Sequence, residues 1–222
     1  MQIHRATLQN CAEAEGTVVA IDVRRAFTAA AFAFAAGAER ILLVGRVQEA
    51  FELQRELPDA LLMGEVDTLP IDGFDFGNSP AEFLNADLGG RTLIQRTSAG
   101  TQGIVLAERA SLLLTAGLTN ASATARYLEA HAEGPVTLVQ TGLGPEGWGD
   151  EDVACADFIE AELQGDAVDQ TGILERVREA GRHLMERDGP ADLELAVQTD
   201  RFGFAMPVSR ENGRRVLRME RV

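Results

Sequence analysis

Lysine is missing from this chain: all 20 basic residues are arginine. That excludes a Schiff-base lysine and the phosphate-gripping lysine of a P-loop. Cysteine occurs only twice, as Cys11 and Cys155, far apart and without metal-ligand spacing. Two free thiols in a reducing compartment are expected, not a disulfide framework. Positive charge is scarce against 35 acidic residues, giving a net charge of −15 and a pI near 4.6. Such a surface repels a phosphate backbone and anionic lipid, so neither nucleic acid nor a membrane is expected as a partner. A small phosphorylated molecule stays open, because a metal ion or a local arginine can reverse the field inside a cleft. Long apolar runs are absent as well. Ala26–Ala36 is interrupted by Thr28 and is too short to span a bilayer. Met1–Asn10 carries no apolar signal core, and a cytoplasmic location is expected.

What is present is a pattern of short β-branched runs alternating with longer helical stretches. Strands are expected at Thr17–Val23, Arg40–Val44, Ala60–Gly64, Thr92–Thr97, Ser111–Ala116 and Val136–Thr141. Helices are expected at Arg25–Ala36, Val47–Leu57, Gly100–Glu108, Ala121–His131 and Glu151–Leu163, with a further amphipathic one at Ile173–Glu186. Gly37 suits the left-handed end of the first helix, and Asn120 and Asp150 suit N-caps. Near-continuous apolar strands that alternate with helices imply an α/β fold, three layers α/β/α around a largely parallel or mixed sheet. The chain reads as one domain over 1–222. Its last part, Asp192–Val222, reads as two or three strands that extend the sheet.

In open α/β sheets, ligands sit beyond the carboxyl ends of the strands, and those places are rich in polar residues and glycine here. The first strand runs into Asp22 and Arg25, and the third into Gly64 and Glu65. The loop Gly73–Pro80 reads GFDFGNSP. The next strand runs into Thr97, Ser98, Ala99, Gly100 and Thr101, and the following one into Thr119 and Asn120. After Thr141–Gly142, the chain passes Glu146 and Trp148 to reach Asp150, Glu151 and Asp152. Each has an ordinary alternative. Asp22 could cap a helix or turn, Glu65 could be a solvated loop charge, and Asp150–Asp152 could be first-turn acids favoured by the helix dipole. The Ser98–Thr101 turn could equally present backbone N–H groups to a phosphate. His4, His131 and His183 have no ligand spacing, and no nucleophile elbow occurs.

Taken together, these strings resemble the 2-phosphosulfolactate phosphatase family. Its members carry, in order, VIDVLRATTT, GER, GFDLGNSP, TTNGT, FVNASA and SLED. This chain has AIDVRRAFTA at Ala20–Ala29, then Gly64-Glu65-Val66, then GFDFGNSP at Gly73–Pro80. It continues with RTSAGT at Arg96–Thr101, LTNASA at Leu118–Ala123 and GDED at Gly149–Asp152. Order and approximate spacing agree over roughly residues 15 to 165. The departures are Arg24 for the family's Leu, Phe27 for a Thr, Ala99 for an Asn, and a longer loop before Asp150.

The resemblance implies a cytosolic α/β/α enzyme that uses Mg²⁺ to hydrolyse the phosphate ester of 2-phosphosulfolactate, a step associated with coenzyme M biosynthesis. The motif positions carried over are Asp22, Arg25, Glu65, Asp75, Asn78, Ser79, Gly100, Thr101, Asn120, Glu151 and Asp152. On this reading the metal candidates are Asp75, Glu65, Glu151 and Asp152, with Asp75 paired to Glu151 or Asp152 favoured. Asp22, Arg25 and Asp75 are the catalytic candidates, Asp22 as general base. Arg25, Asn78, Ser79, Ser98, Gly100, Thr101 and Asn120 are the substrate-binding candidates. Two alternatives stay open. One is a relative that cleaves another small phosphorylated hydroxy acid; the other is a non-catalytic protein that binds an anionic metabolite. The oligomeric state is open too, a homodimer included.

Overall fold

The structure, a computed structural model, describes residues 1–142, 149–182 and 190–222. Its strands are β1 (Ile3–Thr7), β2 (Gly16–Ile21), β3 (Arg40–Leu43), β4 (Leu61–Val66), β5 (Leu69–Pro70), β6 (Thr92–Arg96), β7 (Ala110–Ala116), β8 (Val136–Gln140), β9 (Phe204–Glu211), β10 (Arg214–Leu217) and β11 (Glu220–Arg221). Its helices are α1 (Ala26–Ala35), α2 (Val47–Glu56), α3 (Gly100–Leu106), α4 (Ala121–His131), α5 (Asp150–Gln164), α6 (Gln170–Arg182) and α7 (Pro190–Ala196). The expected α/β architecture is observed, and the six expected strands and the helices between them appear with ends shifted by a residue or two. The end of the expected helix Ile173–Glu186, with His183, and the loop residues Glu146 and Trp148 lie outside the described residues.

The sheet runs β1-β8-β2-β7-β9-β10-β3-β6-β4-β5, with β11 paired to β9. It consists of two parallel blocks, β1-β8-β2-β7 and β3-β6-β4. The β9–β10 hairpin lies between them, antiparallel to β7 on one side and to β3 on the other. The C-terminal segment, expected to add strands to the sheet, does so in the middle and joins its two halves. Its first residues form α7, not a strand. β1 was not legible in the sequence. Only Ala6 of its five residues is buried, so it carries no alternating apolar signal, and pairing with β8 holds it in place.

The period-two alternation of β2 divides the core. Val18 and Ala20 face the cluster containing α1, while Val19 and Ile21 face the cluster containing α4, α5 and α6. A third cluster sits under α2, with Leu42, Leu62 and Ile94. α1 is buried at nine positions, Ala26 through Phe34, because it packs against strands of both parallel blocks and of the hairpin between them. Gln95 Nε2 on β6 donates to Ala26 O at 2.9 Å, although β6 and β2 belong to different parallel blocks. That bond ties the start of α1, with Asp22 just before it, to the end of β6 in the other block. Gly37 closes α1 at φ +104, the left-handed conformation expected of it. Among the described residues, no helix is long and apolar enough to cross a membrane.

Candidate active site

Asp22 follows β2 directly and is only 5% exposed. Its Oδ1 accepts from Ala26 N at 3.1 Å, so the carboxylate also starts α1. Burial pushes its pKa up to about 7. The Ala26 N–H opposes that shift, the charges of Glu65 and Glu151 add to it, and Arg25 opposes it. These residues come from three distant segments, around Asp22, Glu65 and Glu151, which the fold brings within electrostatic reach of one another.

Asp152 lies in the first turn of α5 and is 1% exposed. Its Oδ1 accepts from Val23 N at 2.8 Å and its Oδ2 from Gly142 N at 2.7 Å. It therefore ties the start of α5 to the ends of β2 and β8. Burial, with the charges of Asp22 and Glu151 behind it, pushes its pKa well above the usual carboxylate range. Glu151 beside it is also buried. Asp150 is the first-turn acid that faces outward, paired with Arg176 at 3.0 Å; the cap residue of α5 is Gly149.

Glu65 ends β4 and is buried, not solvated. Its Oε1 accepts from Ser98 N at 2.5 Å and its Oε2 from Thr68 N at 2.6 Å, with Ser98 Oγ at 3.2 Å. Gly64 before it has φ +138, and a Cβ there would stand 1.8 Å from Arg96 O, so only glycine allows β4 to pass β6 this closely. On the turn into α3, Thr101 N donates to Thr97 Oγ1 at 3.0 Å and Thr97 N to Thr101 Oγ1 at 2.9 Å. With the Ser98 N–H on Glu65, two of the four N–H groups expected to meet a phosphate are already used. For those of Ala99 and Gly100 no side-chain partner is seen among the described residues. Gly100 sits so close to the acids that a Cβ there would lie 2.8 Å from Asp22 Oδ2 and 2.7 Å from Ala26 Cβ.

Three expected site residues lie elsewhere or are engaged inside the protein. Asp75 is exposed, and its Oδ2 accepts from Leu62 N at 2.8 Å. At about 3.3 Å per residue, that is roughly 10 Å back along β4 from Glu65. The Asp75 carboxylate pins the GFDFGNSP loop to the sheet, a scaffold role that the expected pairing with Glu151 or Asp152 did not include. Asn120 is fully buried; its Oδ1 accepts from Gly117 N at 3.1 Å and its Nδ2 donates to Thr124 Oγ1 and Phe204 O at 3.3 Å. All of its polar atoms serve the junction of β7, α4 and β9, so it is corrected from substrate contact to scaffold. Ser79 Oγ donates to Asp192 Oδ1 at 2.5 Å and accepts from Ala81 N at 3.3 Å. Asn78 is buried, and its Oδ1 has no hydrogen-bond partner among the described residues.

Two residues of this region escaped sequence reasoning. Asp192 on α7 is 3% exposed and approaches Arg25 Nη1 at 3.7 Å. Arg96 Nη1 donates to Glu65 O at 2.7 Å and to Ser98 Oγ at 3.2 Å. Arg96 opens the RTSAGT string and was within reach of the sequence; Asp192 opened a segment expected to form strands and carried no sign of a site. Among the described residues, no three acidic, histidine or cysteine side chains form a ready-made metal cage.

The profile of the 2-phosphosulpholactate phosphatase family matches residues 3–210. The chain is 35% identical over 161 residues to the "Probable 2-phosphosulfolactate phosphatase" of Bacillus subtilis (strain 168), covering 72% of this chain and 70% of that protein. It is 37% identical over 149 residues to the protein of the same name from Clostridium perfringens (strain SM101 / Type A), covering 65% and 60%. To that of Thermoplasma acidophilum it is 28% identical over 182 residues, covering 82% and 81%. With a profile that spans nearly the whole chain and carboxylates from distant segments gathered at one sheet edge, the chain belongs to the 2-phosphosulpholactate phosphatase family.

Proposed function

We propose that this protein is a Mg²⁺-dependent phosphatase acting on the phosphate ester of 2-phosphosulfolactate or a related small phosphorylated hydroxy acid. Family membership supports the phosphatase chemistry, and the names of the relatives supply the substrate. The observation that carries the reading is the convergence of Asp22, Glu65, Glu151 and Asp152 beside Arg25, with Asp22 held near pH 7 by burial and like charge. Such a cluster is electrostatically unfavourable alone. Its all-oxygen donor set suits Mg²⁺, which takes one or two carboxylates and completes its shell with water and phosphate. A preformed three-acid cage is not required for that.

Glu151 and Asp152 are the residues that would hold the ion, and Glu65 fixes the facing turn. When bound, the ion would neutralise phosphoryl charge and acidify a water. Arg25 and the N–H groups of Ala99 and Gly100 would hold the phosphoryl oxygens and stabilise charge that develops on them. Asp22, titrating near 7, is suited to take the proton of the attacking water. The same reading takes the chain as a single-domain cytoplasmic enzyme of small-molecule metabolism, with homodimerisation to be read by light scattering.

The test is phosphate release from a panel of phosphoesters that includes 2-phosphosulfolactate, with Mg²⁺ and with EDTA. Mg²⁺-dependent turnover lost in Glu151→Gln is the expected outcome. Turnover unaffected by EDTA would overturn the metal requirement. One observation favours a non-catalytic anion binder as the second reading: Ala99, the cap of α3, offers no side-chain polar group where the family pattern has Asn. Stabilisation by phosphoesters with no turnover of any of them would decide for that reading.

A further inference from the structure

We infer that Arg96 reads a second anionic group of the substrate, a carboxylate or a sulfonate, through the open edge of its guanidinium. The inference rests on the phosphoester site proposed above and narrows its substrate class to phosphoesters that carry a further negative group. It begins with where β6 ends. Arg96 is the last residue of β6 and pairs in register with Gly64 of β4. Its Nη1 donates to Glu65 O at 2.7 Å and to Ser98 Oγ at 3.2 Å. Both acceptors lie beyond that register pair, so the guanidinium reaches forward past the ends of β4 and β6, where ligands of such sheets sit. Ser98 Oγ in turn lies 3.2 Å from Glu65 Oε2. Arg96 is thus one hydroxyl away from an acid whose charge is felt at Asp22.

Among the described residues, Arg96 bonds only a backbone carbonyl and a hydroxyl, and no carboxylate stands within ion-pair distance of it. In a chain with 35 acidic residues, that leaves a partly buried cation at the rim of the site. Its Nε–H is buried without an acceptor, a cost that a bound oxyanion removes. Nη2 makes no hydrogen bond among the described residues. Nε and Nη2 point their N–H groups the same way and form the side-on fork that grips two oxygens of one oxyanion. Nη1 is the nitrogen already engaged, so Glu65 O and Ser98 Oγ hold that fork in one orientation. The surroundings make it selective. Asp22, Glu65, Glu151 and the exposed Asp67, whose N–H meets Ser98 Oγ at 2.8 Å, all repel a second negative group. Such a group binds here only with a cation at its side, whereas a phosphoester that lacks it has no use for Arg96.

Arg96→Gln in the full chain tests this, with Arg46→Gln as the control, since Arg46 is an exposed arginine just past the end of the neighbouring β3. Three phosphoesters are assayed with Mg²⁺. Glycerol 2-phosphate has no second anion, 2-phospholactate adds a carboxylate, and 2-phosphosulfolactate adds a sulfonate as well. Calorimetry on the same proteins gives Kd for inorganic phosphate and for sulfolactate, the product of the proposed hydrolysis. Arg96→Gln is expected to lower kcat/KM about 10- to 100-fold for esters with a second anion, through KM, and to leave glycerol 2-phosphate within about twofold. Sulfolactate binding should weaken by the same factor, with phosphate binding unchanged. A loss already present with 2-phospholactate assigns the fork to the carboxylate; a loss confined to 2-phosphosulfolactate assigns it to the sulfonate. Equal losses on all three esters, no loss on any, or the same selective loss in Arg46→Gln would overturn the inference and leave Arg96 a brace for the turn. If Arg96→Gln does not fold, Arg96→Lys, which keeps the charge and loses the fork, takes its place with the same outcomes. Turnover by the wild type without this selectivity removes the inference alone. Selective weakening of sulfolactate binding, with no turnover of any ester, removes the proposed phosphatase activity alone. A wild type that binds neither anion and cleaves no ester removes both.

Discussion

Replacing Asp22 by Asn should make the protein more stable at neutral and alkaline pH while destroying its activity. The carboxyl titrates near 7 in the folded protein, against 3.8 for an unperturbed group, chiefly because it is buried. The folded state therefore binds this proton more tightly than the unfolded chain. Its stabilisation is fully present below about pH 4 and is lost as the pH rises through 7. Each unit of pKa difference is worth about 1.4 kcal/mol, so keeping Asp22 ionised inside the fold costs about 4 kcal/mol by pH 8. Asn keeps an oxygen for the Ala26 N–H, seen at 3.1 Å, and removes the charge that Glu65 and Glu151 repel. It also relieves Asp152, whose pKa is raised by burial and next by Asp22.

The assay is urea unfolding followed by circular dichroism from pH 4.5 to 8.5 in EDTA. The variant should exceed the wild type by about 2–4 kcal/mol at pH 8, with the advantage vanishing toward pH 4.5. Added Mg²⁺ should stabilise the wild type more than the variant at pH 8 and narrow the gap, since a ligand that binds only the folded state adds RT ln(1 + [L]/Kd). Parallel pH profiles, or a variant less stable than the wild type at pH 8, would refute the claim that unfavourable charge is stored at this position.

Gly100→Ala should cost about 1–3 kcal/mol and abolish turnover, because the new methyl would press on Ala26 Cβ and Asp22 Oδ2. Gly203→Ala, with nothing within 4 Å of the new atom, should leave the melting temperature unchanged and serves as the control. Glu65→Ala strips the acceptor from Ser98 N and Thr68 N and should lower stability by about 1–3 kcal/mol in chemical denaturation. The Asp22 pKa, followed by NMR titration, should fall in that variant. Asp75→Asn retains an acceptor for Leu62 N and should keep most of the wild-type phosphate release, with a stability change below about 1 kcal/mol. Loss of turnover in that variant with the fold intact would return Asp75 to the site.

How much of this was legible depended on whether a signal was local. The β-strand and helix alternation is local, and the α/β architecture followed from it. Asp22 was placed correctly at a strand end because strand and helix periodicities meet there. Whether Glu65 was buried was not local. Its burial depends on Ser98 and Thr68 closing over it, and Ser98 follows β6, which only the pairing of β6 with β4 brings alongside. GFDFGNSP misled for a physical reason. A string can be specific because its backbone must follow one path, and this one runs beside β4 with Phe74 against Phe51 and Phe76 against Phe83. Its Asp and Ser are constrained by that path, and neither joins the acids around Asp22. Asp192 was hidden because its partner Arg25 lies far away in sequence, on a segment that gives no sign of meeting α7.

The position of the β9–β10 hairpin explains why the site needs the whole chain. Asp22 and Asp152 belong to the block containing β2 and β8, while Glu65 and Ser98 belong to the block containing β4 and β6. Two separate parallel sheets would leave four acids on two edges, each facing water and each ionised at no cost. The antiparallel hairpin between β7 and β3 joins the two blocks into one sheet, and the bond from Gln95 to Ala26 O ties the start of α1 to the second block. The packing that buries Ala26 through Phe34 also holds the start of α1, and Asp22 with it, against both blocks. Apolar burial along α1 and the three clusters thereby offsets the electrostatic cost of the site. The price of that arrangement is a raised pKa at Asp22, and a carboxylate near neutrality at the mouth of a helix is what a phosphate-releasing enzyme would use.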